Sequence, residues 1–166
     1  MRENNLMPDV ISYNAGISAL ATHAHWVAAL YMLGEMRGHD VKPDEISYNA
    51  AISACERGAQ WERSLTMLLE MREHALFPTV ISYSAAISSC EKGDRWLWAV
   101  RLLAEMRLHD LEPNAITYNA VASACEKGHQ WARALSILAE MRACSVELTA
   151  ITYNAVISAC DKGKHW

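Results

Sequence analysis

No apolar run in this sequence approaches the roughly 18 to 20 residues that a membrane span needs, so no membrane contact is expected. The net charge of −4 and pI near 6.0 give no overall pull toward polyanions, and any contact with nucleic acid must rest on local placement. There is no Cys-x-x-Cys and no Cys/His cluster at zinc-ligand spacing. Nor is there a Ser/His/Asp or Cys/His arrangement, a carboxylate pair or a phosphate-binding glycine loop. No metal, cofactor or small-molecule substrate is therefore expected, and the chain is not read as an enzyme. The N-terminus has neither an apolar signal core nor an Arg/Ser-rich amphipathic stretch. Proline is scarce too, and all of it, Pro8, Pro43, Pro78 and Pro113, recurs at a step of 35 residues.

That step organises the whole chain. Ile-Ser/Thr-Tyr-Asn/Ser begins at Ile11, Ile46, Ile81, Ile116 and Ile151. Trp26, Trp61, Trp96, Trp131 and Trp166 keep the same spacing, as do Gly58, Gly93, Gly128 and Gly163 and the methionines of Glu-Met-Arg at Met36, Met71, Met106 and Met141. Chain breakers and large apolar residues share one period, so turns and core positions repeat together, as in a solenoid. The period divides the chain into a tail of a preceding repeat at 1–9, full repeats at 10–44, 45–79, 80–114 and 115–149, and a partial repeat at 150–166. Both ends fall inside a unit, and a longer parent array is expected.

The unit beginning at Glu45 represents the others. Ile46, Tyr48, Ala51, Ile52 and Cys55 give a short helix with an apolar side, and Gly58 follows where a C-terminal residue of positive φ is expected. Trp61, Leu65, Leu68, Leu69 and Met71 form the stripe of a second amphipathic helix, which Pro78 separates from the next unit. Helices this short are marginal alone, so their stripes must be covered by neighbouring hairpins. The expected fold is all-α, a right-handed α-solenoid of stacked helix-turn-helix hairpins. In the first unit His23 takes the place of the glycine, and a looser turn is expected there. Cys55, Cys90, Cys125 and Cys160 share one position of the repeat. Stacked helices lie about 8–10 Å apart, too far for disulfides between copies, so these residues read as small reduced packing groups of a non-secretory protein.

A 35-residue hairpin opened by Ile-Ser-Tyr-Asn, with a second helix of the type Ala134-Leu135-Ser136-Ile137-Leu138-Ala139-Glu140-Met141 and Pro-Asp before the next unit, resembles the pentatricopeptide repeat family. Tetratricopeptide repeats differ in having a period of about 34 and a Trp-x-x-Leu-Gly-x-x-Tyr signature that is missing here. The resemblance implies binding of single-stranded RNA, one base per repeat, in RNA processing, stabilisation, editing or translation in a mitochondrion or chloroplast. It also implies that each base is read by the residue after the first-helix Tyr and the last residue of the repeat. The pairs are Asn14 with Asp44, Asn49 with Thr79, Ser84 with Asn114, and Asn119 with Thr149, with Asn154 opening a further pair. A long amide suits a small pyrimidine and a short hydroxyl leaves room for a purine. By the family's pattern the site reads 5′-U-Y-A-Y-3′. The same resemblance makes Ile11, Ile46, Ile81, Ile116 and Ile151 base wedges, and Arg57, Lys92, Lys127 and Lys162 phosphate-facing, with Thr22 in the first unit.

Each assignment has a plainer counterpart. The recurrent Asn is equally a solvated polar position, and the recurrent Ile equally a core residue. The basic residues follow Glu56, Glu91, Glu126 and Asp161 and read equally as neutralised surface charges. The tryptophans lead apolar stripes and read as packing residues rather than stacking platforms, with Trp98, outside the period, partly exposed. His39, His74 and His109 read as solvated loop residues. A protein-interaction solenoid holding a peptide in the same groove is the alternative function, and protein partners remain open.

Overall fold

The computed structural model describes residues 8–163, so Trp166 and most of the 1–9 tail lie outside the described residues. Among the described residues there are nine helices and no strands. They are α1 (Val10–Thr22), α2 (Trp26–Gly38), α3 (Glu45–Arg57), α4 (Trp61–Glu73), α5 (Val80–Lys92), α6 (Trp96–Leu108), α7 (Ala115–Lys127), α8 (Trp131–Ala143) and α9 (Ala150–Lys162). Each has 13 residues and spans about 20 Å.

Two layers result. The odd helices pack on one another along the stack, α1 on α3, α3 on α5, α5 on α7 and α7 on α9. Each even helix sits against the odd helix of its own hairpin and the odd helix of the next, and among the described residues no even helix brings its backbone against another even helix. A stack held close on one side and spread on the other curves toward the close side. The odd helices therefore line the concave face.

Small residues let the odd helices approach. Ala51, Ala54 and Cys55 of α3, Ala86 and Cys90 of α5, and Ala122, Ala124 and Cys125 of α7 are fully buried. Burial drives the Cys55 and Cys125 thiols up to about 11 and Cys90 to about 12, which leaves them protonated and inert. All the described cysteines are free, and Cys144, outside the shared position, is exposed. Two expected core residues point outward instead: Ile46 on the first helix and Leu69 on the second are exposed, and Ser64 and Met67 join Leu68 and Met71 in the α4 core.

The helix ends explain the remaining markers. Every odd helix begins at an extended Asp, Thr or Asn (Asp9, Asp44, Thr79, Asn114, Thr149), the residue types that cap helix N-termini. The recurrent Ser/Thr of Ile-Ser/Thr-Tyr stands three residues on and completes the cap: the Asp44 N–H donates to Ser47 Oγ (3.1 Å) and the Ser47 N–H to Asp44 Oδ1 (2.9 Å).

The recurrent glycine does not serve the role expected for it. Gly58 has φ −82°, and the left-handed residue is the next one, Ala59, at φ 53°. Gly93 and Gly128 behave alike, with Asp94 and His129 taking positive φ. What Gly58 provides is room: a Cβ there would strike the indole of Trp26, and Gly93, Gly128 and Gly163 lie in the same way against Trp61, Trp96 and Trp131. The tryptophans are thus packing residues between consecutive hairpins. The turn at His23 is not looser either. Its φ is −101°, Ala24 carries the positive φ, and the His25 N–H donates to the Leu20 carbonyl at 3.0 Å, matching Gln60 on Cys55 at 2.8 Å.

Adjacent substitutions should therefore act oppositely. Gly58→Ala must displace Trp26 and destabilises by about 1–3 kcal/mol, whereas Ala59→Gly relieves left-handed strain and stabilises by about 0.5–1 kcal/mol. Thermal unfolding of the two variants checks this. Stabilisation by Gly58→Ala would contradict the packing role.

Candidate nucleic-acid interface

On the concave side the spacing 46, 49, 53, 57 places Ile46, Asn49, Ser53 and Arg57 on one face of α3, where they line a groove shared with Ser18 and Thr22 of α1. One face thus gathers a residue expected to wedge a base, one expected to read it and one expected to meet phosphate. The isoleucines settle their own ambiguity between core and surface. Ile11, Ile46, Ile81, Ile116 and Ile151 are 59–76% exposed, so none is a core residue. Tyr13, Tyr48, Tyr83 and Tyr118, two positions on, are buried instead.

The two members of each complete pair belong to one repeat and come together between successive odd helices, the second member standing at the start of the later one. Asn14 Nδ2 donates to Asp44 Oδ1 (3.1 Å), and Asn119 Nδ2 donates to Thr149 Oγ1 (3.2 Å). Asn49 and Thr79 are joined through Ser82, whose Oγ–H donates to Asn49 Oδ1 (2.5 Å) and whose Oγ accepts from the Thr79 N–H (3.0 Å). Ser84 and Asn114 are joined through Thr117. The Thr117 hydroxyl donates its one hydrogen to Asn114 Oδ1 (3.0 Å), which can only accept, so Ser84 must donate to Thr117 across 2.7 Å. Ser84 then keeps acceptor lone pairs, and Asn114, whose Oδ1 is taken by Thr117, keeps its donor amide nitrogen. Asn14 and Ser84 are buried, Asn49 and Asn119 half-buried. Asn154, which no later described helix covers, is exposed.

Every second member of a pair is also the N-cap of the next odd helix. Asp, Thr and Asn at these positions are what a capping site selects, with or without a ligand. The cap at Asp44 also controls its charge. Burial alone would push this carboxyl up, but hydrogen bonds from the Ser47 N–H and hydroxyl and from Asn14 outweigh it, and Asp44 is held below the ordinary carboxylate range.

The basic residues are not bare. Lys92 Nζ pairs with Glu56 (2.7 Å), Lys127 with Glu91 (2.9 Å) and Lys162 with Glu126 (2.7 Å), in each case the acidic residue one repeat back rather than the sequence neighbour. Arg57 donates to the Thr22 carbonyl (3.1 Å). Pairs this exposed are weak, so they hold the lysines only loosely.

At the other end of the hairpins the Glu-Met-Arg segments form a second set of links that the sequence reading missed. Met36, Met71 and Met106 are buried. Arg37 reaches forward to Tyr48 Oη (2.5 Å) and Glu70 (2.5 Å), Arg72 to Tyr83 and Glu105, and Arg107 to Tyr118 (3.3 Å) and Glu140. His39, expected to be merely solvated, also meets Tyr13 Oη through Nδ1 at 2.7 Å. Trp98 is partly exposed, as expected. Among the described residues no group of three or more His, Cys, Asp or Glu could hold a metal ion, and no helix is long and apolar enough to cross a membrane.

Sequence-family comparisons match a pentatricopeptide repeat domain at residues 101–162, a PPR repeat family at 8–57 and the PPR repeat at 46–76 and 81–111. Together they leave only 77–80 uncovered between residues 8 and 162. No curated protein sequence matches the chain. Among solved structures, the pentatricopeptide repeat protein PPR10 from maize superposes with a TM-score of 0.82 at 21% identity, over 96% of this chain and 23% of that one. PPR10 in complex with an 18-nt psaJ RNA element gives 0.81 at 23% identity, over 99% and 24%. The PPR domain of Arabidopsis thaliana protein-only RNase P 1 in complex with tRNA gives 0.78 at 14% identity, over 90% and 82%. The chain spans about a quarter of the PPR10 chains, and at these identities the likeness shows the fold alone.

The Asp44 cap yields a pH-dependent outcome. Its folded pKa is depressed, so its contribution is full above the ordinary value of about 3.9 and disappears as pH falls through the lower folded value. Asp44→Ala costs about 1 kcal/mol at neutral pH, while Asp44→Asn keeps a capping oxygen and loses this acid sensitivity. Unfolding followed from neutral to acid pH tests the pair. An acid response in Asp44→Asn equal to that of the unsubstituted chain would contradict the assignment.

Proposed function

The chain belongs to the pentatricopeptide repeat family, and from that premise we propose that it binds single-stranded RNA along its odd helices, one base per repeat. The observation that carries the proposal is the row of exposed isoleucines on the concave face, the first four of them each beside a polar side chain held by the following repeat. An exposed branched apolar group suits the face of a base, and a fixed amide or hydroxyl suits its edge.

The repeats differ where a base would be read. Repeats 1, 2 and 4 offer an Asn amide, long enough to reach a pyrimidine. Repeat 3 offers the shorter Ser84, left with acceptor lone pairs, and Asn114, left with its amide donors. That combination complements adenine, which presents an amino donor next to a ring-nitrogen acceptor. The proposed partial site is 5′-U-Y-A-Y-3′. The activity proposed is in organellar RNA metabolism, in a mitochondrion or chloroplast, where the array would mark a site for processing, stabilisation, editing or translation. The residues of the groove bind rather than catalyse.

One observation favours a second function, a peptide-binding scaffold. The lysines along the groove are already paired with glutamates and the chain is acidic overall, which weakens attraction to phosphate.

Binding of labelled 5′-U-Y-A-Y-3′ RNA against a scrambled strand, at several salt concentrations, separates the two. RNA binding predicts preference for the cognate strand, and Ser84→Asn with Asn114→Asp moves the third base from A toward U. Equal affinity for both strands would contradict it. Ile81→Ala, which removes an exposed side chain, should weaken RNA binding by about threefold to tenfold with no loss of thermal stability.

A further inference from the structure

One polar group beneath the groove is neither a base reader nor a phosphate contact, yet it recurs at every boundary between described repeats. It is the hydroxyl two residues into the Ile-Ser/Thr-Tyr block: Ser47, Ser82, Thr117 and Thr152. All four residues are fully buried. Each hydroxyl touches the base-facing side chain of the preceding repeat: Ser47 on Asn14 at 2.5 Å, Ser82 on Asn49 at 2.5 Å, Thr117 on Ser84 at 2.7 Å and Thr152 on Asn119 at 2.5 Å.

A terminal amide has two nearly isosteric ends of opposite character, one accepting and one donating. Uracil and cytosine differ in the same sense, since uracil carries an acceptor oxygen at C4 where cytosine carries an amino donor. An amide free to flip serves both bases. An amide held in one sense does not. The hydroxyls of Ser82 and Thr152 draw Oδ1 of Asn49 and Asn119 toward the following helix and so decide which end remains for a ligand, whereas Ser47 shares its one hydrogen between Asn14 Oδ1 and Asp44 Oδ1.

Resting on the RNA-reading function proposed above, we infer that Ser47, Ser82, Thr117 and Thr152 are specificity-determining positioning residues. Each sets the donor–acceptor sense of the side chain one repeat earlier, and where that side chain is an Asn amide, as for Ser47, Ser82 and Thr152, it thereby separates uracil from cytosine. The repeats are then unequal. In repeats 1 and 4 the amide nitrogen is also held, by Asp44 (3.1 Å) and Thr149 (3.2 Å). In repeat 2, among the described residues, Ser82 alone holds the Asn49 amide. Repeat 2 should depend most on its hydroxyl.

The test is the affinity ratio for short single-stranded RNAs that differ only in U or C at the base opposite repeat 2, measured on the full chain. The unsubstituted protein is expected to distinguish them by about threefold to tenfold, the range of one net hydrogen bond. Ser82→Ala brings the ratio close to one, Ser82→Thr restores it, and Ser47→Ala changes the ratio at the first base less because Asp44 still holds Asn14. Asn49→Ser serves as the control for base reading itself. If Asn49→Ser changes base choice but Ser82→Ala leaves the U/C ratio intact, the positioning role is overturned and RNA reading stands. If Asn49→Ser changes nothing, both are overturned. Equal affinity of the unsubstituted protein for U and C, or a uniform loss over all four bases in Ser82→Ala, also overturns the inference, the latter by showing a purely structural hydroxyl. Should Ser82→Ala fail to fold, Thr152→Val removes the same hydroxyl isosterically from repeat 4, and an unchanged U/C ratio at the fourth base then overturns the inference.

Discussion

Helices of 13 residues do not persist alone in water, and everything in this molecule depends on how each hairpin is covered by the next. The cover is a contact between unlike copies of one pattern: an indole at the start of an even helix rests on the bare backbone of a glycine at the end of the following odd helix. Alanines and cysteines then let the odd helices close on one another while the even helices stay apart. Curvature is a consequence of residue size, and the concave surface belongs to the odd helices for that reason.

The same constraint dictates what the groove displays. Once Tyr48, Ala51, Ile52 and Cys55 are committed to the buried side of α3, positions 46, 49, 53 and 57 are left on the other. An isoleucine exposed there in every copy has no packing explanation. The side chains beside it are tied to the caps of the next helix, so the helix starts that build the stack also orient the groups offered to a ligand. Stability and recognition share atoms at Asp44, Ser47 and their counterparts, and a change made for one will be felt in the other.

The period made the fold legible, because breakers, large apolar residues and polar positions all kept one step. It was less informative about direction. Gly58 was visible as a turn marker, but its reason lies in Trp26, 32 positions earlier and in a different hairpin. Positive φ fell instead on Ala59, which no propensity argument selects. Ile46 sits one residue before the first buried position, and periodicity of about 3.6 cannot place a residue at the edge of a stripe inside or outside. The pairing of Lys92 with Glu56 rather than Glu91 was equally hidden, since it depends on the offset between stacked helices. Beneath the groove, the hydroxyl at Ser47 and Ser82 does carry a local signal: three residues after an Asp or Thr, it is half of a capping pattern.

The central claim is that RNA lies on the odd helices, base against isoleucine. Photo-crosslinking of a bound oligonucleotide carrying a photoreactive uridine, followed by mapping of the modified residues, tests it most directly. Adducts confined to the faces that carry Ile11, Ile46, Ile81 and Ile116 are the predicted result. Adducts on the even helices α2, α4, α6 or α8, with those isoleucines unmodified, would contradict it.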